Sequence, residues 1–221
     1  MTRRRPLIAI DGPAGSGKST LARRLAEAFV LPYLNTGLMY RALALAALRE
    51  GVDPEDGGAL ADLARRLTFD LDPTVSPSSL RIDGRPPEEG LTSPDVESNV
   101  SRVARHPEVR TVLREEQRRL AEPGAVVEGR DIGTVVCPDA DVKLFLEAEE
   151  EARVHRRAGE RAEHDRRVAA ELAARDAMDA RTNPLEPAED AVAIDTTDMD
   201  ADQVFAAALA IVRVRLRERG W

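Results

Sequence analysis

The chain has 221 residues, 43% of them hydrophobic and 33% charged, with a formal net charge of −8 at pH 7. That length buries an ample core without disulfides, and the lone Cys137 rules out an internal one, as suits a reducing cytoplasm. The acidic balance argues against a broad nucleic-acid-binding face, and no apolar stretch approaches the roughly 18 residues needed to span a membrane.

Leu7-Ile8-Ala9-Ile10-Asp11 reads as a continuous apolar strand, the pattern of a parallel sheet covered on both faces. Arg3-Arg4-Arg5 before it could open a signal peptide, but the apolar run is far too short for one and is needed as this strand. Gly12-Pro13-Ala14-Gly15-Ser16-Gly17-Lys18-Ser19-Thr20 follows and fits the phosphate-binding template G-x-x-x-x-G-K-[ST], with strand, glycine-rich turn and helix in register. Backbone N–H groups of such a turn and the positive end of the next helix converge on a polyphosphate. Lys18 can reach the β- and γ-phosphates of a nucleotide, and the Ser19 hydroxyl can help hold Mg²⁺. Lys18 and Lys143 are the only lysines; histidines aside, every other basic side chain is arginine. A chain so biased keeps lysine where a compact ammonium serves better than a planar fork.

The helix after the loop carries Leu21, Leu25 and Phe29 at helical spacing, and Leu31-Pro32-Tyr33-Leu34 is a short second strand. Ala42 to Leu48 is helical with Gly51 as its stop, and Ala59–Leu67 is another amphipathic helix. From Thr68 to Pro94 the chain turns rich in Pro, Asp, Gly and Ser. Phe69-Asp70-Leu71 and Leu80-Arg81-Ile82 alternate at period two there, and with the turn signal Asp83-Gly84 they predict a small β insert. Ser93-Pro94 opens a helix with Val96, Val100 and Val103 on one face, and a further helix runs from Pro107 toward Leu120. Ala125-Val126-Val127 and Val142 to Leu146 are strands three and four, Glu149 to Arg181 is charged and helical, and Ala191–Asp195 is a fifth strand. Val204, Phe205, Ala208, Ile211 and Val212 stripe a closing helix. Strands alternating with helices predict a doubly wound α/β sheet with ligands at the carboxyl ends of its strands. Cys137, after Val135-Val136 and before Pro138, reads as a buried structural thiol, and His106, His155 and His164 have no metal-ligand spacing.

Neither D-x-x-G nor N-K-x-D occurs, so the guanine-reading apparatus of a GTPase is missing. The segment from Tyr33 through Asn35-Thr36-Gly37-Leu38-Met39-Tyr40-Arg41 to Ala42 resembles the second motif of bacterial cytidylate kinases. Asn99-Val100-Ser101-Arg102-Val103-Ala104, Pro107-Glu108-Val109-Arg110 and Glu128-Gly129-Arg130-Asp131-Ile132-Gly133-Thr134-Val135-Val136 are similar to three more. The late residues Arg175-Asp176, Asp179, Pro184-Leu185, Asp190-Ala191 and Asp195-Thr196 extend the likeness over essentially the whole chain, β insert included.

The resemblance implies a P-loop kinase fold: a five-stranded parallel sheet flanked by helices, a small β-containing insert for the nucleoside monophosphate and a helical lid. Residues 1–221 would form one domain, with a core of about 1–35, 101–148 and 166–221. The monophosphate-binding region would cover about 36–100, its β insert about 68–92, and the lid about 149–165. The activity implied is transfer of the γ-phosphoryl of ATP, carried with Mg²⁺, to CMP or dCMP. Such chemistry needs positioning and charge neutralisation more than covalent help. Lys18, Arg130 and Arg175 are the cations the resemblance places at the reacting phosphates. Gly12 to Thr20 would hold ATP, helped by Arg153 and Arg157, and Ser19 the metal. Arg41 and Arg130 would grip the CMP phosphate, where a planar fork suits bidentate contact, with Thr36 beside it. Ser101, Arg110 and Asp131 would read cytosine, and Asp179 and Arg181 would complete the pocket near the ribose.

The base-reading trio makes chemical sense. Cytosine presents an amino donor, which a carboxylate accepts. Uracil would turn an acceptor toward Asp131, a mismatch costing about 1–3 kcal/mol per buried unsatisfied group. Asn35 stands where the family has Asp, Leu38 replaces a small residue, and the stretch from Asp179 to Pro184 is shorter than usual, which bears on Arg181. By their spacing alone, Arg153, Arg156 and Arg157 fit equally a helix salt-bridged to Glu149, Glu150 and Glu151. Competing readings are a P-loop kinase for UMP, AMP or shikimate, with Asp11 as base toward a hydroxyl acceptor, and a nucleotide-sensing module without turnover. With no long apolar stripe left over, a cytoplasmic monomer is expected.

Overall fold

The apolar run after Pro6 becomes β1 (Ile8–Asp11), with all four residues buried. Here and below the protein is described from a computed structural model covering residues 5–72, 74–75, 77, 79–161, 169–170, 173, 177 and 185–221, with side chains at all of these except 157 and 159–161. From β1 the chain turns through the glycine-rich loop into α1 (Lys18–Phe29), then β2 (Tyr33–Asn35) and α2 (Thr36–Glu50). After α3 (Gly57–Arg66) come β3 (Phe69–Asp72) and β4 (Ser79–Ile82), an antiparallel pair apart from the main sheet. Helices α4 (Pro94–Ala104) and α5 (Pro107–Ala121) lead to β5 (Val126–Gly129) and β6 (Val142–Glu147). α6 (Glu150–Arg161), β7 (Val192–Asp195) and α7 (Ala201–Glu218) complete the described elements.

The expected five-stranded parallel sheet is present, in the order β2-β5-β1-β6-β7. Because every pair is parallel, Asp11, Asn35, Gly129, Glu147 and Asp195 end their strands along one edge, where a doubly wound sheet builds its ligand site. Side chains alternate between faces with period two. Ile8, Ile10 and Val126 meet Leu21 and Leu25 of α1 and Ala208 and Val212 of α7. Ala9, Leu34 and Val127 meet Leu43 of α2 and Leu113 of α5 on the other face. Each fully buried valine, leucine or isoleucine among them contributes roughly 1.5–3 kcal/mol.

Local chemistry sets the helix ends. Asn35, Asp56 and Ser93 accept from Leu38, Ala59 and Val96 N–H groups as N-caps, and Asp200 and Gln203 form a capping box on α7. The Asn35 cap starts α2 at Thr36, six residues before the Ala42 start expected from periodicity, so Thr36 and Arg41 stand on a helix. The Asp83-Gly84 turn lies directly after β4, joining Ile82 to Arg85. Beyond β5 the chain makes one wide turn, Ile132–Val136, with Cys137 N–H bonded to the Ile132 carbonyl at 2.7 Å. Periodicity gave no sign of that turn. The Asp11 carboxylate pins it by accepting from the Ile132 and Gly133 N–H groups, both at 2.7 Å. Cys137 is buried as expected, and no helix among the described residues is long and apolar enough to cross a membrane.

Candidate active site

The glycine loop is held too tightly for side chains at two places. A Cβ on Gly12 would lie 2.4 Å from the Leu146 carbonyl oxygen, and one on Gly15 2.9 Å from that of Arg153. The backbone therefore wraps closely against the sheet edge and α6, leaving its N–H groups at the mouth of α1. Lys18 folds over this loop, donating to the Pro13 carbonyl at 2.6 Å.

Ser19, one residue into α1, donates to Glu128 Oε2 at 2.9 Å. Glu128 sits near the end of β5, level with Ile10 of β1 on one side and Asn35 of β2 on the other. Its second oxygen accepts from the Tyr33 hydroxyl. Burial drives the Glu128 carboxyl above its ordinary value, against the pull of the Lys18 charge and its two hydrogen bonds. The Tyr33 hydroxyl is driven up too, by burial first and then by Glu128. Neither Glu128 nor Tyr33 was assigned a role from sequence. A carboxylate ending an apolar strand in a parallel sheet was the available signal for Glu128.

Thr36 Oγ1 donates to the Glu128 carbonyl at 2.8 Å, closing the turn from β2 into α2. Arg41 is buried, paired with Glu97 of α4 at 2.7 Å and donating to the Leu91 carbonyl at 3.0 Å. Asp131 follows β5 and takes Arg110 at 2.9 Å and Arg114 at 2.5 Å, both on Oδ2. Arg114 was also missed, although it lies one helical turn beyond Arg110 on the same face of α5.

These parts open onto one cleft of about 290 Å³. Lys18, Ser19, Arg41, Ser101, Arg130 and Asp131 are among the residues that line it. Asp11 faces the backbone of residues 132–133 instead of an acceptor position, which removes it as the base of a hydroxyl-directed kinase. Burial raises Asp11 to about 6, with the two N–H bonds opposing.

Arg153 and Arg156 of α6 both reach carbonyl oxygens of neighbouring loops. Arg153 is buried and donates to the Ala148 and Ala14 carbonyls, tying α6 to the glycine loop. Arg156 donates to Thr196 Oγ1 at 3.0 Å and to the carbonyls of Thr196, Thr197 and Met199. The Arg157 side chain and the whole of Arg175, Asp179 and Arg181 lie outside the described residues.

A magnesium ion fits what is present. Mg²⁺ takes oxygen ligands, few of them from protein, and relies on phosphates and water for the rest. The Ser19 hydroxyl donates its hydrogen bond to Glu128, which leaves an oxygen lone pair for a cation. Among the described residues no cluster of three or more His, Cys, Asp or Glu forms an all-protein metal site.

A family model described as cytidylate kinase matches residues 8–214. The cytidylate kinase of Granulibacter bethesdensis is 48% identical over 217 residues, covering 95% of this chain and 97% of that protein. That of Acidiphilium cryptum is 49% identical over 219 residues, with 94% and 96% covered. Among solved structures, an uncharacterised protein from Eubacterium ventriosum aligns at a TM-score of 0.54 and 12% identity, over 96% of this chain and 99% of its own, a likeness of fold alone.

Proposed function

The chain belongs to the cytidylate kinase family, and from that membership we propose that it moves the γ-phosphoryl group of ATP to CMP or dCMP, giving ADP and CDP or dCDP. One observation supports this reading of the site above others: Lys18, Ser19, Arg41, Arg130 and Asp131 face a single cleft. Phosphate donor and acceptor would therefore meet in a space lined by cations.

The acceptor is a phosphate, anionic at pH 7, so no base has to deprotonate it. What the residues must do is position two polyanions and spread their charge. Gly12 to Thr20 would cradle the ATP phosphates through backbone N–H groups. Lys18 would swing from the Pro13 carbonyl to the β- and γ-phosphates. Arg153 would serve ATP by fixing the Ala14 carbonyl and hence the loop. Mg²⁺ bound with ATP would supply charge neutralisation between the β- and γ-phosphates, and Ser19, oriented by Glu128, would hold it. Arg41 and Arg130 would bind the CMP phosphate beside Thr36, and Ser101, Arg110 and Asp131 would read the base. Arg157, Arg175, Asp179 and Arg181 keep the roles that family membership suggests, with residues 149–165 closing over ATP and excluding water. The enzyme would act as a cytoplasmic monomer on small molecules, without nucleic acid.

The test is ADP release by the purified protein with ATP, Mg²⁺ and a panel of CMP, dCMP, UMP, AMP and shikimate. CMP and dCMP should outpace the others. UMP ahead of CMP would overturn the base reading, and turnover no higher than the ATP-only blank with every acceptor would overturn the activity.

A further inference from the structure

We propose that Arg114 is a positioning residue for nucleobase selection: it holds Asp131 so that one carboxylate oxygen stays turned to the cytosine amino group. This rests on the reading of Asp131 given above.

The geometry carries the argument. Arg110 and Arg114, one turn apart on α5, both place Nη2 on the same oxygen of Asp131, Oδ2, at 2.9 and 2.5 Å. With both anchors on Oδ2, Oδ1 is the oxygen left to meet an amino group. Of the two arginines, only Arg110 also walls the cleft. A base that draws Arg110 toward itself therefore loosens one of the anchors. Arg114 approaches from farther along the helix and keeps Asp131 in place while Arg110 engages the ligand.

Stability alone accounts poorly for Arg114. Its buried Nε has no hydrogen-bond partner among the described residues, and a buried donor left so costs about 1–3 kcal/mol. A partly buried ion pair of this kind is in any case a weak contributor to stability, its best use being to fix one arrangement among several. Here the arrangement fixed is the orientation of the carboxylate that meets the base.

The consequence is specific to the acceptor. UMP carries an acceptor, O4, where CMP has its amino donor, so it has no hydrogen bond at that position to lose when the carboxylate is less well held. Arg114→Met keeps the apolar stem and removes the fork. It should raise KM for CMP about tenfold, the share of a charge-assisted hydrogen bond, with kcat for saturating CMP and kcat/KM for UMP each within about twofold of wild type. Arg114→Gln, which retains a donor, should lower the CMP-over-UMP ratio of kcat/KM about threefold and carries the test if the Met variant does not fold. A merely structural role would depress CMP and UMP in parallel and lower the melting temperature, leaving the ratio unchanged; that result overturns the proposal. Asp131→Asn in the same series separates the two ideas. If it narrows the ratio while both Arg114 variants do not, the role of Arg114 fails alone. If it leaves the ratio unchanged, the underlying reading of Asp131 fails.

Discussion

The Ser19 hydroxyl at the start of α1 donates to the Glu128 carboxylate at the end of β5, 2.9 Å away and 109 residues along the chain. The bond fixes where the hydroxyl proton lies, and so which way its oxygen lone pairs face.

Glu128→Gln disturbs that orientation without emptying the space, because an amide can accept from only one of Ser19 and Tyr33. Residues that orient a metal-binding group typically account for 10–100-fold in affinity or activity. We expect half-saturation by Mg²⁺ to rise about tenfold or more and kcat to fall, with KM for CMP nearly unchanged. A Mg²⁺ titration at saturating ATP and CMP measures it; an unaltered Mg²⁺ requirement would refute the role.

Lys18→Met removes the ammonium proposed above to follow the transferred charge. Loss of a cation aimed at a transition state costs about a hundred- to a thousandfold in kcat. Turnover should drop by at least that factor for every acceptor, leaving the CMP-over-UMP ratio as it was. A variant that lost activity toward CMP alone would place Lys18 on the wrong nucleotide.

Burial raises the Asp11 carboxyl from 3.8 to about 6. A raised acid favours folding in its protonated form. Its contribution is complete below about pH 4 and is lost as pH rises through about 6, because the unfolded chain ionises first. The shift is worth ~3 kcal/mol. Between pH 4 and pH 7 the unfolding free energy of Asp11→Asn, measured in urea, should therefore gain ~3 kcal/mol on wild type. Parallel pH profiles for the two proteins would contradict the burial argument.

At Gly12, with φ of +149°, a Cβ would meet the Leu146 carbonyl oxygen at 2.4 Å. That oxygen belongs to the central sheet and cannot move aside. Gly17, at φ +89°, has open space around its missing Cβ, so alanine there bears only the left-handed backbone penalty of ~1–2 kcal/mol. Calorimetry should find Gly17→Ala melting roughly 2–8 °C below wild type and Gly12→Ala, which adds the clash, roughly 10 °C or more below it. Equal melting temperatures would show that the close approach is not there.

Cys137 is 3% exposed, and burial pushes its thiol up to about 12. A thiolate is what reacts, so a disulfide reagent at mildly alkaline pH should leave the native protein unlabelled and modify one thiol in denaturant. Rapid labelling of the folded enzyme would contradict this.

Much of the molecule was legible because its signals are local. The apolar run of β1, the glycines behind it and the leucines of α1 are each a short-range pattern, and the structure places them as read. The motif residues Arg41, Ser101, Arg110, Arg130 and Asp131 do share one cleft. The start of α2 was misplaced because Asn35 and Gly37 weaken a periodic pattern that the Asn35 cap nonetheless begins. The contact of Arg153 with the Ala14 carbonyl was not legible, since helical spacing does not say which carbonyl a guanidinium will find.

Strand and helix periods, the glycine-rich turn and the choice of lysine at 18 were determined by the sequence alone, since each depends on neighbours within a few residues. Tertiary structure decided which distant groups touch: Ser19 with Glu128, Asp11 with the turn at 132–133, Asp131 with Arg110 and Arg114. Those contacts follow from the strand order β2-β5-β1-β6-β7 and its register. That order is set by how whole faces bury against one another, and no single segment carries it.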